Sequence, residues 1–235
     1  MSLYLTGSEA KHASSVLRCT EGDVITVVDG CGFEYEVSIE RVAMERVAGK
    51  ILARRKTSTE PTVQVVLAQA LCRSSRFDLV VEKATELGVH TILPVVTERS
   101  LKMPKKDPPD RRADRWRKIT IAAMKQSKRS LLPHIAPPSS LNTVLSSGVI
   151  YDICLIASEK EERRGLRDVI ADAGPVQKGL VLVGPEGGFS EAELQQAQEY
   201  RFHTVSLGPR RLRTETAGPL IVALLLYELG ELGGR

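Results

Sequence analysis

Arg213 and Glu215 stand two residues apart in Leu207-Gly208-Pro209-Arg210-Arg211-Leu212-Arg213-Thr214-Glu215-Thr216-Ala217. A carboxylate so placed can take a proton, and a guanidinium can stabilise negative charge developing on a nearby oxygen. The same two groups can also pair with each other and only shape the loop; the sequence leaves both readings open. Upstream lies a second glycine-bearing turn, Gly184-Pro185-Glu186-Gly187-Gly188-Phe189-Ser190. Each turn follows a short apolar run, 181–183 or 205–207, and each opens into a helical pattern. Loops beyond the carboxyl ends of parallel strands are where α/β folds bind ligands. Glycine lets backbone approach a ligand closely and supplies positive φ. Two such loops in succession can wall one pocket.

Other chemistries find less support. The first turn lacks the Gly-Lys-Ser/Thr ending of a phosphate loop, although Gly187-Gly188 before a helix suits an anion weakly. His12, His90, His134 and His203 are scattered, with no H-x-x-x-H or Cys/His cluster, so no metal is expected. No G-x-S-x-G elbow is present for a serine nucleophile. Cys19, Cys31, Cys72 and Cys154 form no C-x-x-C pair and read as reduced thiols.

The elements that position the loops follow from periodicity. After Pro61 the chain alternates strands, expected at 63–68, 91–96, 151–157, 180–183 and 203–207, with helices at 76–87, 111–127, 162–171, 191–201 and 217–229. Phe77, Val80, Val81, Ala84 and Leu87 make a 3.6-period stripe closed by Gly88. Ser190 and Glu193 form a capping box that starts a helix directly after the glycine turn. Trp116, on a stripe with Ile119 and Ala123, reads as core. Five β-α alternations imply a mostly parallel sheet with helices on both faces. Before Pro61 the pattern differs: 23–29 and 33–39 flank Gly30-Cys31-Gly32 as a hairpin, and 42–56 supplies one or two more strands. A small β-barrel or sandwich fits, joined by a linker at 57–61. Residues 102–110 read as a surface loop.

A chain of 235 residues can bury a sizeable core. No apolar run approaches the roughly 20 residues that span a bilayer, and no signal peptide is written at the amino terminus, so a soluble cytoplasmic protein is expected. Net charge is only +4, yet residues 102–129 hold eleven Lys or Arg against three Asp, a local +8. Such segregation is the footprint of a polyanionic partner, against the commoner solvated helix face.

Motifs along nearly the whole chain resemble one family. They are Val16-Leu17-Arg18, Gly22-Asp23 and Asp29-Gly30; Lys83-Ala84-Thr85-Glu86-Leu87-Gly88-Val89; Thr97-Glu98-Arg99-Ser100; Arg115-Trp116; Gln126; and the two glycine loops. Together they resemble the bacterial 16S rRNA uracil-N3 methyltransferases of the SPOUT class. The resemblance implies a PUA-like β-barrel over 1–58 and a knotted α/β domain over 62–235. It implies S-adenosyl-L-methionine as cofactor, a homodimer, and 16S rRNA of the small ribosomal subunit as partner. Cofactor contacts are expected from Ser158, from Gly184, Pro185, Glu186, Gly187 and Gly188, and from Leu207, Gly208, Leu212, Arg213, Thr216 and Ala217. Arg213 and Glu215 are the catalytic candidates. RNA contacts are expected from Arg18, Arg73, Lys83, Arg99, Arg111, Arg112, Arg115, Gln126 and Arg129. The chain departs from the family at Arg211, where an aliphatic residue is usual, at Ala122 and Lys125, in a stretch that tends to be acidic, and at Lys128, where glycine is usual. Rival readings are a non-catalytic RNA-binding or ribosome-assembly protein of the same fold, and a methyltransferase of another RNA.

Overall fold

A computed structural model describes residues 1–57, 59–101 and 108–233. Most of the loop expected at 102–110, and residue 58 of the expected linker, lie outside these residues. The chain divides into two compact units, Met1–Glu60 with Arg129–Leu132, and Pro61–Lys128 with Pro133–Arg235.

The first unit contains β1 (Ser2–Thr6), α1 (Gly7–Lys11) continued by a π-helical turn, β2 (Val24–Val28), β3 (Phe33–Val42) and β4 (Arg46–Lys56). These strands form an antiparallel sheet in the order β1-β4-β3-β2. The β2–β3 hairpin falls where Gly30-Cys31-Gly32 places it. Asp29 shapes its turn by accepting hydrogen bonds from the backbone N–H of Cys31 (2.7 Å) and Phe33 (3.2 Å), and Gly30 and Gly32 take φ of +75° and +96°. The second half, expected as one or two strands, is the single long β4. Ala10 and Ala13 of the helical turn pack on Ile39 and Val47 to close a small core.

The second unit runs β5 (Gln64–Ala70), α2 (Ser74–Glu86), β6 (Thr91–Val96), α3 (Pro109–Gln126), β7 (His134–Ile135), β8 (Ser139–Ser140), α4 (Leu141–Ser146), β9 (Ile153–Ala157), α5 (Leu166–Asp172), β10 (Lys178–Val183), α6 (Glu191–Glu199), β11 (His203–Val205) and α7 (Thr214–Glu228). The sheet order is β11-β9-β10-β5-β6-β7, with β8 also on β6, and the pairings are parallel. Strand alternation sorts the core into two layers. Val65, Leu67, Leu155, Val181 and Val183 face α2, α3, α5 and α7; Val66, Ala68, Ile156, Leu180 and Leu182 face α4 and α6. The five expected strands and five expected helices are all present, with ends shifted by a few residues. The short β7, β8 and α4 carry too few residues for a period to show. Trp116 stacks on Phe77 with ring centroids 4.6 Å apart, a core residue as read.

Topology places the glycine loops together. β9 and β10 are neighbours, and β11 lies on the far side of β9. The chain then returns to pack α7 on α2, β5 and β10. Residues 206–213 must therefore pass across the carboxyl ends of β9 and β10, where the loops after those strands begin.

Candidate active site

Those three loops line a cavity of about 350 Å³, within the range of small-molecule sites. Ala157 and Ser158 enter it after β9, residues 183–189 after β10, and Leu207, Gly208, Leu212, Arg213, Thr214 and Ala217 before and within α7. The wall also includes Arg76 of α2 and Arg99 of the loop after β6.

Backbone geometry explains the glycines. Gly188 has φ of +66° and Gly208 +101°, conformations that a Cβ disfavours. A Cβ on Gly184 would come within 3.2 Å of the Phe189 ring and 3.3 Å of Gly188 backbone. The loop therefore folds tightly on itself and turns backbone edges to the cavity. Its exit is pinned by the capping box: Glu193 accepts from Ser190 N–H (2.9 Å) while Ser190 Oγ accepts from Glu193 N–H (3.3 Å). The other Glu193 oxygen accepts from Glu98 N–H at 2.8 Å, tying in the loop after β6. From that loop Arg99 Nη1 donates to Gly187 O at 2.9 Å.

A buried relay holds the other side. Gln69 at the end of β5, 0% exposed, donates from Nε2 to Thr214 Oγ1 (2.9 Å), and Thr214 Oγ1 donates to Gly184 O (2.6 Å). Gly218 lies so close that a Cβ there would run into Gln69 Oε1. After β9, Ser158 N–H donates to Val205 O at 3.1 Å, and Ser158 Oγ accepts from Lys160 N–H at 3.2 Å.

Charges converge at the cavity edge. Arg76 Nη1 lies 3.1 Å from Glu186 Oε1, and Arg76 Nε lies 3.6 Å from Glu215 Oε1. Arg213 reaches Glu215 only at 4.0 Å, and its side chain is 78% exposed against 10% for Glu215. Glu215 Oε2 is buried and, among the described residues, has no hydrogen-bond partner. Close by, burial first, then the Glu186 and Glu215 charges, push the Cys72 thiol up to about 12, so it stays protonated at neutral pH.

The structure distributes the sequence candidates unevenly. Eleven of the twelve cofactor candidates line the cavity; Thr216 does not, because its side chain is exposed on the first turn of α7, and buried Thr214 takes the wall position. Glu215 stands behind Arg76 rather than on the wall. Sequence reasoning missed Gln69 and Arg76, which belong to no recognisable motif of their own, and Thr214, which stands inside the second glycine motif between Arg213 and Glu215.

Among the RNA candidates, Arg18 and Arg73 are exposed, Arg111 and Gln126 lie exposed on α3, and Lys83 pairs with Glu82 and Glu86. Arg99 belongs to the cavity wall. Three expectations need correction. Arg129 is 4% exposed, and its Nε and Nη2 donate to Glu60 Oε2 at 3.0 and 2.7 Å, so it staples residues 129–132 to the first unit and turns no group outward. Arg112 is 7% exposed, on the inner side of α3. Arg115 donates to Asp78 (3.1 Å) and Ser74 on α2, which makes it a helix-packing residue. Arg117, Lys118 and Lys125 are further exposed cations of α3. Of the departures, Arg211 pairs with Glu159 at 2.8 Å on the cavity wall. Lys128 has φ of +58°, the left-handed conformation that glycine adopts freely. Ala122 and Lys125 are both exposed on α3.

Among the described residues, no group of three His, Cys, Asp or Glu side chains could hold a metal ion, and no helix is long and apolar enough to cross a membrane.

Residues 58–226 match the RNA methyltransferase domain family, and residues 5–52 match the RNA methyltransferase PUA domain. Ribosomal RNA small subunit methyltransferase E of Bacillus subtilis is 30% identical over 234 residues, covering 98% of this chain and 91% of that protein. The protein of the same name from Aquifex aeolicus is 31% identical, over 95% and 93% of the two chains. Among solved structures, ribosomal RNA small subunit methyltransferase E from Neisseria gonorrhoeae bound to S-adenosyl methionine aligns with a TM-score of 0.87 and 31% identity. That alignment covers 97% of this chain and 92% of the other.

Proposed function

The chain belongs to the RNA methyltransferase family with an amino-terminal PUA domain, and on that premise we propose that it is an S-adenosyl-L-methionine-dependent methyltransferase acting on N3 of a uridine in 16S rRNA. The observation that carries this reading is the convergence of three loops on one cavity whose glycines turn backbone edges inward. The residues suit the cofactor: Gly184 lets the turn close against Phe189, Gly188 supplies a positive φ with open space beside it, and the loops after β9, β10 and β11 surround the cavity. The fold reading that goes with it is the knotted SPOUT type over 62–235, the return of residues 206–213 being its crossing, with a PUA-like RNA-binding unit over 1–58.

Bound S-adenosyl-L-methionine supplies an already electrophilic methyl group, so the protein's work is alignment and management of one proton. Uracil N3 carries a hydrogen and is a poor nucleophile until it leaves. We assign proton removal to Glu215, whose Oε2 has no hydrogen-bond partner among the described residues. Stabilisation of charge on the uracil carbonyl oxygens falls to Arg213, exposed at the cavity wall. Arg18, Arg73, Lys83, Arg99, Arg111 and Gln126 remain candidate RNA contacts, with Arg117, Lys118 and Lys125 added from α3. A cytoplasmic homodimer completes the reading and rests on the resemblance; light scattering of the purified chain tests the dimer.

The decisive experiment incubates the purified chain with S-adenosyl-L-methionine and undermethylated small subunits, then maps N3-methyluridine in 16S rRNA. A single modified uridine is expected. Cofactor binding without methyl transfer to any RNA would identify a non-catalytic RNA-binding protein; transfer to a different RNA alone would replace the substrate.

A further inference from the structure

We propose that Arg76, from outside both glycine motifs, is a positioning residue that ties the cofactor loop to Glu215, so that the loop and the carboxylate are set by one guanidinium. The inference rests on the methyltransferase reading and adds to it a residue that neither motif contains.

The geometry is a two-armed bridge. Arg76 stands in the first turn of α2, whose inner stripe of Phe77, Val80, Val81 and Ala84 is buried and fixes the helix rigidly. Its Nη1 holds Glu186 Oε1 at 3.1 Å, and Arg73 N–H adds a longer contact to the same oxygen at 3.4 Å. The other arm, Nε, faces Glu215 Oε1 at 3.6 Å. Glu186 belongs to the turn after β10 and Glu215 to the first turn of α7, so Arg76 joins two segments 29 residues apart in the chain through a third. Arg213, the nearer cation in sequence, is the farther one in space at 4.0 Å and is mostly exposed.

A guanidinium is planar with donors in a fixed fork, so holding one carboxylate limits where the other can sit. The contact with Glu215 Oε1 turns that oxygen toward Arg76 and leaves Oε2 without a partner. An unpaired buried oxygen is costly unless something retains it. Here the retained oxygen is the one that Arg76 does not occupy. Arg76 itself reaches the cavity wall, whereas Glu215 does not, so a displacement of Glu186 is passed to the Glu215 carboxylate through this side chain, alongside the backbone tie that Thr214 makes to Gly184.

Two double-mutant cycles test the bridge, one on binding and one on turnover. Calorimetry measures S-adenosylmethionine affinity for the wild type, Arg76→Gln, Glu186→Gln and the double variant. Single-turnover methylation compares Arg76→Gln, Glu215→Gln and their double. Arg76→Gln is expected to weaken cofactor binding about three- to tenfold and to slow single-turnover methylation at saturating cofactor about ten- to a hundredfold. In the Glu186→Gln background the binding loss should vanish, and in the Glu215→Gln background the rate loss should vanish. Arg76→Lys, a point cation without the fork, should restore one of the two properties and not both. Additive losses in both cycles, or full restoration of both properties by lysine, would overturn the inference. If Arg76→Gln melts far below the wild type, the Arg76→Lys comparison decides alone, since it keeps the charge. A wild type that binds cofactor but methylates no RNA refutes the function reading, and the binding cycle still decides the tie between Arg76 and the loop.

Discussion

Thr214→Val probes the buried relay that holds the cofactor loop, and its cost can be worked from the structure. Valine keeps the shape of threonine but removes the hydroxyl, which accepts from Gln69 Nε2 at 2.9 Å and donates to Gly184 O at 2.6 Å. Gln69 is fully buried and Thr214 and Gly184 nearly so at the cavity wall, which limits replacement of either bond by water. A buried polar group left unsatisfied costs about 1–3 kcal/mol. Gln69 Nε2 retains a weaker bond to Ala70 O at 3.3 Å, which reduces its share. The expected loss is therefore about 2–4 kcal/mol. At about 2–4 °C per kcal/mol for a chain of this size, the melting temperature should fall by roughly 4–16 °C. Freed of its tether, the Gly184 turn should also bind S-adenosylmethionine about tenfold more weakly, equivalent to about 1.4 kcal/mol. Adding Gln69→Leu removes one orphaned group, so the double variant should be less destabilised than the sum of the singles by about 1 kcal/mol. Thermal and urea unfolding with calorimetric titration measure all three quantities. A stability loss below about 0.5 kcal/mol with unaltered cofactor affinity would show that the relay carries no weight.

Other expectations follow from the same geometry. Gly188→Val must place a branched side chain at φ of +66°, at a backbone cost of about 1–2 kcal/mol, so it should give a folded protein with strongly weakened cofactor binding by calorimetry. Replacing Arg111, Arg117 and Lys118 on the exposed side of α3 with alanine should flatten the dependence of log RNA affinity on log salt by about 0.7–0.9 for each phosphate no longer neutralised, whereas Arg115→Ala should leave that slope alone and loosen α2 from α3. Lys128→Gly should raise stability by about 0.5–1 kcal/mol in urea unfolding, because glycine adopts φ of +58° without a Cβ penalty although it frees the unfolded chain.

Periodicity carried the second unit. Strands that alternate between two buried layers and helices with 3.6-residue stripes leave a strong signal, so Phe77 through Ala84 and the strand 91–96 are legible in the residues themselves. The glycine loops were legible for a related reason: a turn that needs φ of +66° or a close approach such as that of Gly184 to Phe189 admits few residue types, and the constraint appears in the sequence. The basic segment shows the limit of composition. Eleven cations over 102–129 mark a charged stretch, but burial decides which of them face outward. Arg112 and Arg129 turn inward, the latter onto Glu60, and Arg115 is spent on Asp78. A charge count cannot see a partner 69 residues away.

Three tethers of the glycine loops that the motifs did not disclose share one origin. Gln69, Arg73 and Arg76 belong to the end of β5, the cap of α2 and the first turn of α2, and each reaches a glycine loop more than 100 residues later in the chain. Their role arises only because β10 lies beside β5, so the loop after β10 rests against the turn after β5. Local patterning reports what a segment needs for its own conformation, and Gln69 needs nothing unusual to end a strand. What makes a buried amide tolerable there is Thr214, and what makes room for it is Gly218. The motif at the start of α7 is thus half of a structure whose other half is spelled in ordinary residues. It follows that substitutions at Gln69 or Arg76 should disturb the cofactor loop more than their distance in sequence suggests, and that a variant with both glycine motifs intact can still lose the site.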